Sequence, residues 1–200
     1  MALLDDYLPL FSHMLIALDD PETSAVSLRQ TLMQLHDTAN HGIIQRHYRC
    51  QDIHSASSAV FICLDELILC SGHSLTECWR NHPLQKELHG NSLGGMHFFQ
   101  QLEDMDNDND ELRTLYLFCL LTGYKGRYVS DDNNTLDEII YRHIKKLPGE
   151  YGHCLKNGEA QAWNIRPGVL KARKKKLRLS LFIVLAVSIT YIFMNLMLII

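Results

Sequence analysis

Apolar positions in the first 147 residues recur at three- and four-residue intervals, and no stretch keeps up the alternation of a half-buried strand. "LDDYLPLFSHMLIAL" is apolar on one face, with Pro9 expected to limit its start. "DDPETSAVSLRQTLMQLHD" reads as a helix with Asp20 as N-cap, Pro21 at the first helical position and Glu22 in the first turn. Its stripe of Val26, Leu28, Leu32, Met33 and Leu35 is only approximate. "SSAVFICLDELILCSG" is apolar nearly all round, which predicts a buried helix ending at Gly72. "SLTECW" and "HPLQKELHG" predict short helices. "GGMHFFQQLEDM" sets Phe98, Phe99, Leu102 and Met105 on one side. "DNDELRTLYLFCLLTG" opens on acids and closes on Gly123, and "NNTLDEIIYRHIKKLPG" starts near Thr135 and ends in bases before Pro148. Seven or eight helices with short connections make residues 1–147 an all-α domain.

The remainder of the chain has a different pattern. Residues 148–170 are punctuated by Gly and Pro and read, with the block "KARKKKLR" at 171–178, as a linker. Residues 179–200 carry no charge. As a helix they would extend about 33 Å, enough for a hydrocarbon core of about 30 Å. Bases on the near side of that segment predict a cytoplasmic helical domain and a C-terminus across the membrane, as in a single-pass tail anchor. The acids in "MALLDDYLPL" speak against a signal peptide. Ser188, Tyr191 and Asn195 fall on one face of the segment. They suit a homodimer or partner-helix seam, or are polar residues tolerated there.

Charge narrows the partners. The basic block holds six of the 19 Lys and Arg, leaving residues 1–170 with 13 bases against all 23 acids, a net charge of −10. So acidic a domain is poorly suited to nucleic acid. Six cysteines without a CxxC spacing read as reduced thiols in a cytosolic compartment. The eleven histidines form no HExxH; His36, His41 and His47 read as scattered around a turn, and surface histidines are the expectation. "EDMDNDNDE" lacks the glycine of a calcium loop. No metal or cofactor is expected.

Three stretches could carry function. "GNSLG" around Ser92 matches G-x-S-x-G, the basis of an alternative reading as a membrane-tethered hydrolase, but helix-like residues precede it where a nucleophile needs a strand. Asp65 and Glu66 are the only charges between Val60 and Cys70 and point about 100° apart on a helix, so at least one must lie near the core. The expectation is that one of them pairs with Arg127 or caps backbone amides nearby; the rival is a partner-binding cleft lined by both. "TGYKGRYVS" reads as a helix stop with glycines at 123 and 126, aiming Arg127 and Tyr128 back at the bundle.

Together "SSAVFICLDELIL", "PLQKELHGNSLGGMHFFQQLEDM" and "LYLFCLLTGYKGRYVS" resemble the TssL/DotU (IcmH) family, tail-anchored inner-membrane components of bacterial type VI and type IVB secretion systems. The last stretch is similar to the family's Cys-Leu-x-x-Gly-Phe-x-Gly-Arg-Tyr signature, with Tyr124 in place of Phe. The resemblance implies a cytoplasmic domain of two small helical bundles with a cleft between them, and no catalysis. It implies a homodimer, a complex with an IcmF/TssM-like inner-membrane protein, and contacts to baseplate components. A type VI structural subunit is the leading expectation and a type IVB DotU-like stabilising subunit the alternative. The family motifs fall on Asp65, Glu66, Gly95, Phe98, Phe99, Gly123, Gly126, Arg127 and Tyr128. A helical regulator resembling the Bcl-2 group would need an Asn-Trp-Gly-Arg type signature, which this sequence lacks.

Overall fold

The computed structural model describes residues 2–89, 94–129 and 134–148. They form eight α-helices: α1 Leu3–Asp19, α2 Ala25–Gln45, α3 Cys50–Cys70, α4 Thr76–Asn81, α5 Leu84–His89, α6 Gly94–Asp104, α7 Asp110–Leu121 and α8 Asn134–Lys146, with a 3₁₀ turn at Gly126–Tyr128. No strand occurs among the described residues. Residues 149–200, and with them Ser188, Tyr191 and Asn195, lie outside the described set, as does Ser92.

The all-α reading holds, and α3 organises it. Residues Ser55–Asp65 are buried without interruption, as an all-round apolar helix requires. Although α3 is long and apolar enough to cross a membrane, it is the core helix of this domain. It packs against α1, α2 and α7, and also against α4, α5 and α6. Two helix groups therefore share α3, and one hydrophobic core runs through both. A small satellite of Leu117, Ile144 and Leu147 seats α8 on α7.

Several expected boundaries move, each for a local reason. Helix α1 runs straight through Pro9. The residue whose carbonyl loses its donor is Asp5, and both it and Pro9 are exposed, so water can take that bond. Asp20 is the C-cap of α1 and not the N-cap of α2, which is Ser24. Residues Asp20–Thr23 close a turn, with Thr23 N–H on the Asp20 carbonyl at 3.2 Å and Glu22 N–H on its side chain at 3.0 Å. Helix α2 continues to Gln45, which carries His36 and His41 on the helix and leaves only His47 beyond its end. Its buried stripe is Leu28, Leu32, His36, Ala39 and Ile43, a regular helical spacing that includes a histidine; Val26 is exposed.

Candidate functional site

The site is built on the C-terminal half of α3. Asp65 is buried. Its Oδ1 accepts the Trp79 indole N–H and the Leu84 amide, each at 2.8 Å, and its Oδ2 accepts the Gln85 amide at 3.0 Å. Burial raises the carboxyl pKa, and the three donors pull it back. The carboxylate thus ties α4, through Trp79, and the free amides opening α5 to α3. The Arg29 guanidinium lies 4.6 Å over the Trp79 ring, closing the outer side.

Glu66 points elsewhere, as its neighbouring helix position demands. Its carboxylate accepts the Lys125 amide at 2.8 Å and the Gly126 amide at 3.0 and 3.1 Å. Two adjacent acids therefore hold two different loops. The expectation of capped amides is met by Glu66. The expected ion pair with Arg127 is not, because backbone donors already occupy both carboxylates. Arg127 instead sets its guanidinium 5.2 Å over Phe99 and 4.9 Å over Tyr128, and donates to the Tyr128 hydroxyl at 2.7 Å.

The turn that Glu66 holds has two glycine-dependent steps. Gly123, at φ +114°, follows the C-cap Thr122; its amide bonds the Leu120 carbonyl at 3.1 Å and the Tyr124 amide bonds the Cys119 carbonyl at 3.2 Å. That paired closure is a Schellman motif. Gly126 has φ +49°, and a Cβ there would stand 2.5 Å from the Tyr124 hydroxyl and 3.0 Å from Phe99. Both conformation and space call for glycine. Gly95 is less constrained, since its Cβ would meet Tyr124 at an ordinary 3.8 Å. Phe98 packs on Tyr116 and Tyr124 with ring centroids 4.6 and 4.5 Å apart, and Phe99 meets Tyr128 edge-on at 4.8 Å. The Tyr124 hydroxyl is buried without a hydrogen-bond partner.

Glu66, Gly95, Phe98, Phe99, Gly123, Gly126, Arg127 and Tyr128 thus converge around one turn, while Asp65 serves α4 and α5. Neither acid lines the polar groove of the domain. That groove lies between the start of α3, α6 and the α6–α7 loop, with Arg49, Asp52, Gln101, Asp106, Asn109 and Tyr116 on its walls. There Arg49 reaches Asp52 at 2.8 Å and Asp106 at 3.4 Å, so part of the acidic run is paired. No cluster of metal-ligating side chains occurs among the described residues, and the five described cysteines are free thiols.

Buried polar groups that the sequence reading missed lie elsewhere in the core. His36, His73 and His143 are buried and not on the surface. The His36 Nε2 contacts Ser57 Oγ at 3.0 Å within a network that includes Tyr7 and Asn40, and burial lowers its pKa. Arg113 is fully buried and donates to the His143 Nδ1 at 2.9 Å and to the Asp106 carbonyl at 2.7 Å. Burial lowers the pKa of His143 as well.

The model of the family described as type VI secretion system protein DotU matches residues 2–199. The chain belongs to the DotU family. Among solved structures, this DotU-family chain is similar to the cytoplasmic domain of TssL from Acinetobacter baumannii, at 24% identity and a TM-score of 0.63 over 73% of this chain and 96% of that one. At that identity the likeness is one of fold. A search of curated proteins found no match.

Proposed function

We propose that this DotU-family chain is a structural subunit of a type VI secretion system, fixed in the bacterial inner membrane by residues 179–200. Its helical domain stands in the cytoplasm and its C-terminus reaches the periplasm. The domain joins an IcmF/TssM-like inner-membrane partner to baseplate components, and the Ser188, Tyr191 and Asn195 face pairs two copies. The observation that carries this reading is the extent of the family match. It takes in the helical domain, the basic block and the apolar segment as one unit. Several modest contacts made in one plane would then reinforce each other.

The residues around Glu66 and Arg127 act in this reading by shaping a loop, not by chemistry. Ser92 is preceded by α5, a helix, so the strand–turn–helix setting of a nucleophile is not built ahead of it. The test is affinity purification of the full chain from detergent-solubilised membranes, with mass spectrometry of what accompanies it. A large inner-membrane partner together with baseplate proteins is the expected result. Recovery of the folded chain alone would overturn the reading.

A further inference from the structure

The exposed face of α8 changes sign along its length. Its first half shows Asp137 and Glu138, and its last turns show Tyr141, Arg142, Lys145 and Lys146. The opposite face is fixed inward by Leu136, Ile139, His143 and Ile144. Tyr141 is 57% exposed, with the Lys145 ammonium 4.3 Å over its ring. Arg142 bonds Glu103 at 2.8 and 2.9 Å, while Lys145 and Lys146 meet no carboxylate among the described residues. The surroundings make this end unusual: residues 1–148 hold 11 bases against 21 acids, and three of those bases fall within 142–146.

We propose that the C-terminal half of α8 docks on the anionic headgroups of the bilayer that residues 179–200 enter. The inference rests on the membrane reading above and adds a second contact to it. A domain of net charge −10 is repelled by an anionic surface, so it can approach only through a basic end. The end in question is the one from which the chain continues, through 30 residues that finish in the basic block, to the apolar segment. Lysines beside an exposed tyrosine suit the interface, where the ring sits among headgroups and the ammonium groups reach phosphate. Each base contributes about a fivefold gain near an anionic leaflet. Tethering multiplies that gain, since the lipid is always at hand. Asp137 and Glu138 tilt the other end of the helix away, which gives the domain a defined orientation.

The test places a photo-crosslinker in the full chain, reconstituted in nanodiscs of mixed phosphatidylglycerol and phosphatidylcholine. Tyr141→benzoylphenylalanine should yield phospholipid adducts by mass spectrometry. The yield should fall at least fivefold in pure phosphatidylcholine, and at least tenfold when Lys145→Glu and Lys146→Glu are added. Val26→benzoylphenylalanine, on the exposed side of α2, should give none. Phe193→benzoylphenylalanine, inside the apolar segment, reports the membrane reading separately. Adducts at 193 without adducts at 141 overturn the docking and leave the anchor standing. No adducts at either position overturn both. Equal adducts at 26 and 141, or a yield at 141 indifferent to lipid charge, also overturn the docking.

Discussion

Two buried charges stabilise this domain in opposite ways. The Asp65 anion is surrounded by N–H groups, two from backbone and one from an indole, none of which titrates. The Arg113 cation instead faces the Asp106 carbonyl and the imidazole of His143, with its Nε unpaired. Asp110 and Glu103 both bear on that cation through space, and the Glu103 carboxylate, 3.6 Å from the His143 Nε2, is shared with Arg142. The donors on Asp65 do not titrate, although burial raises the pKa of the carboxyl itself, whereas one partner of Arg113 is a histidine that must stay neutral to accept. The donors of the α3 clamp should thus persist in acid, while the acceptor in the α7–α8 joint is conditional.

The largest effect expected is at the clamp. Asp65→Ala strands three donors, two of them buried, and should cost about 3 kcal/mol or more, read from denaturant unfolding of the full chain in detergent. A loss under about 1 kcal/mol would erase the distinction between the two regions. Acid comes next. His36 and His143 both have folded pKa values below the ordinary 6.5, so the unfolded chain takes up protons first. The stability they contribute is complete above pH 6.5 and is lost as pH falls through the folded values, by up to about 1.4 kcal/mol per histidine per pH unit. His143→Asn can keep an acceptor facing Arg113 without a titrating group, and should flatten its part of that loss. An unchanged acid slope would show that the joint is not conditional.

Smaller effects test the turn that Glu66 holds. Tyr124→Phe removes a buried hydroxyl that has no partner and should be neutral or stabilising by about 1 kcal/mol, seen as a raised melting temperature. Arg127→Ala removes ring contacts and one exposed hydrogen bond to the Tyr128 hydroxyl, and should cost about 0.5–1 kcal/mol. A loss of several kcal/mol would instead restore the ion pair that the sequence suggested.

The amide cap of Glu66 was legible in the sequence as one of two expectations, while the Asp65 clamp on α4 and α5 was not. Two adjacent acids alone in an apolar run cannot share one environment, and the second did cap amides beside the two-glycine turn. The clamp's partners were not legible, because an amide donor leaves no mark in the sequence and an arginine does. Arg113 was invisible for a related reason: one base in an apolar helix reads as its solvent face. His36 could have been found, since it continues the 28, 32, 39, 43 spacing, but counting Val26, Met33 and Leu35 into the stripe blurred that face. The turn at Asp20–Thr23 misled because a proline after an aspartate opens a β-turn as readily as a helix.

The donors on Asp65 and Glu66 are mostly backbone groups, and this bears on how such a surface can change over time. Every residue except proline supplies an amide proton. Positions 85 and 125, whose side chains are not buried, can therefore take new ones without loosening the attachment beneath them. The loops can be relettered to suit a different neighbour while their frame stays put, with Gly126, the buried Leu84 and a ban on proline as the main constraints.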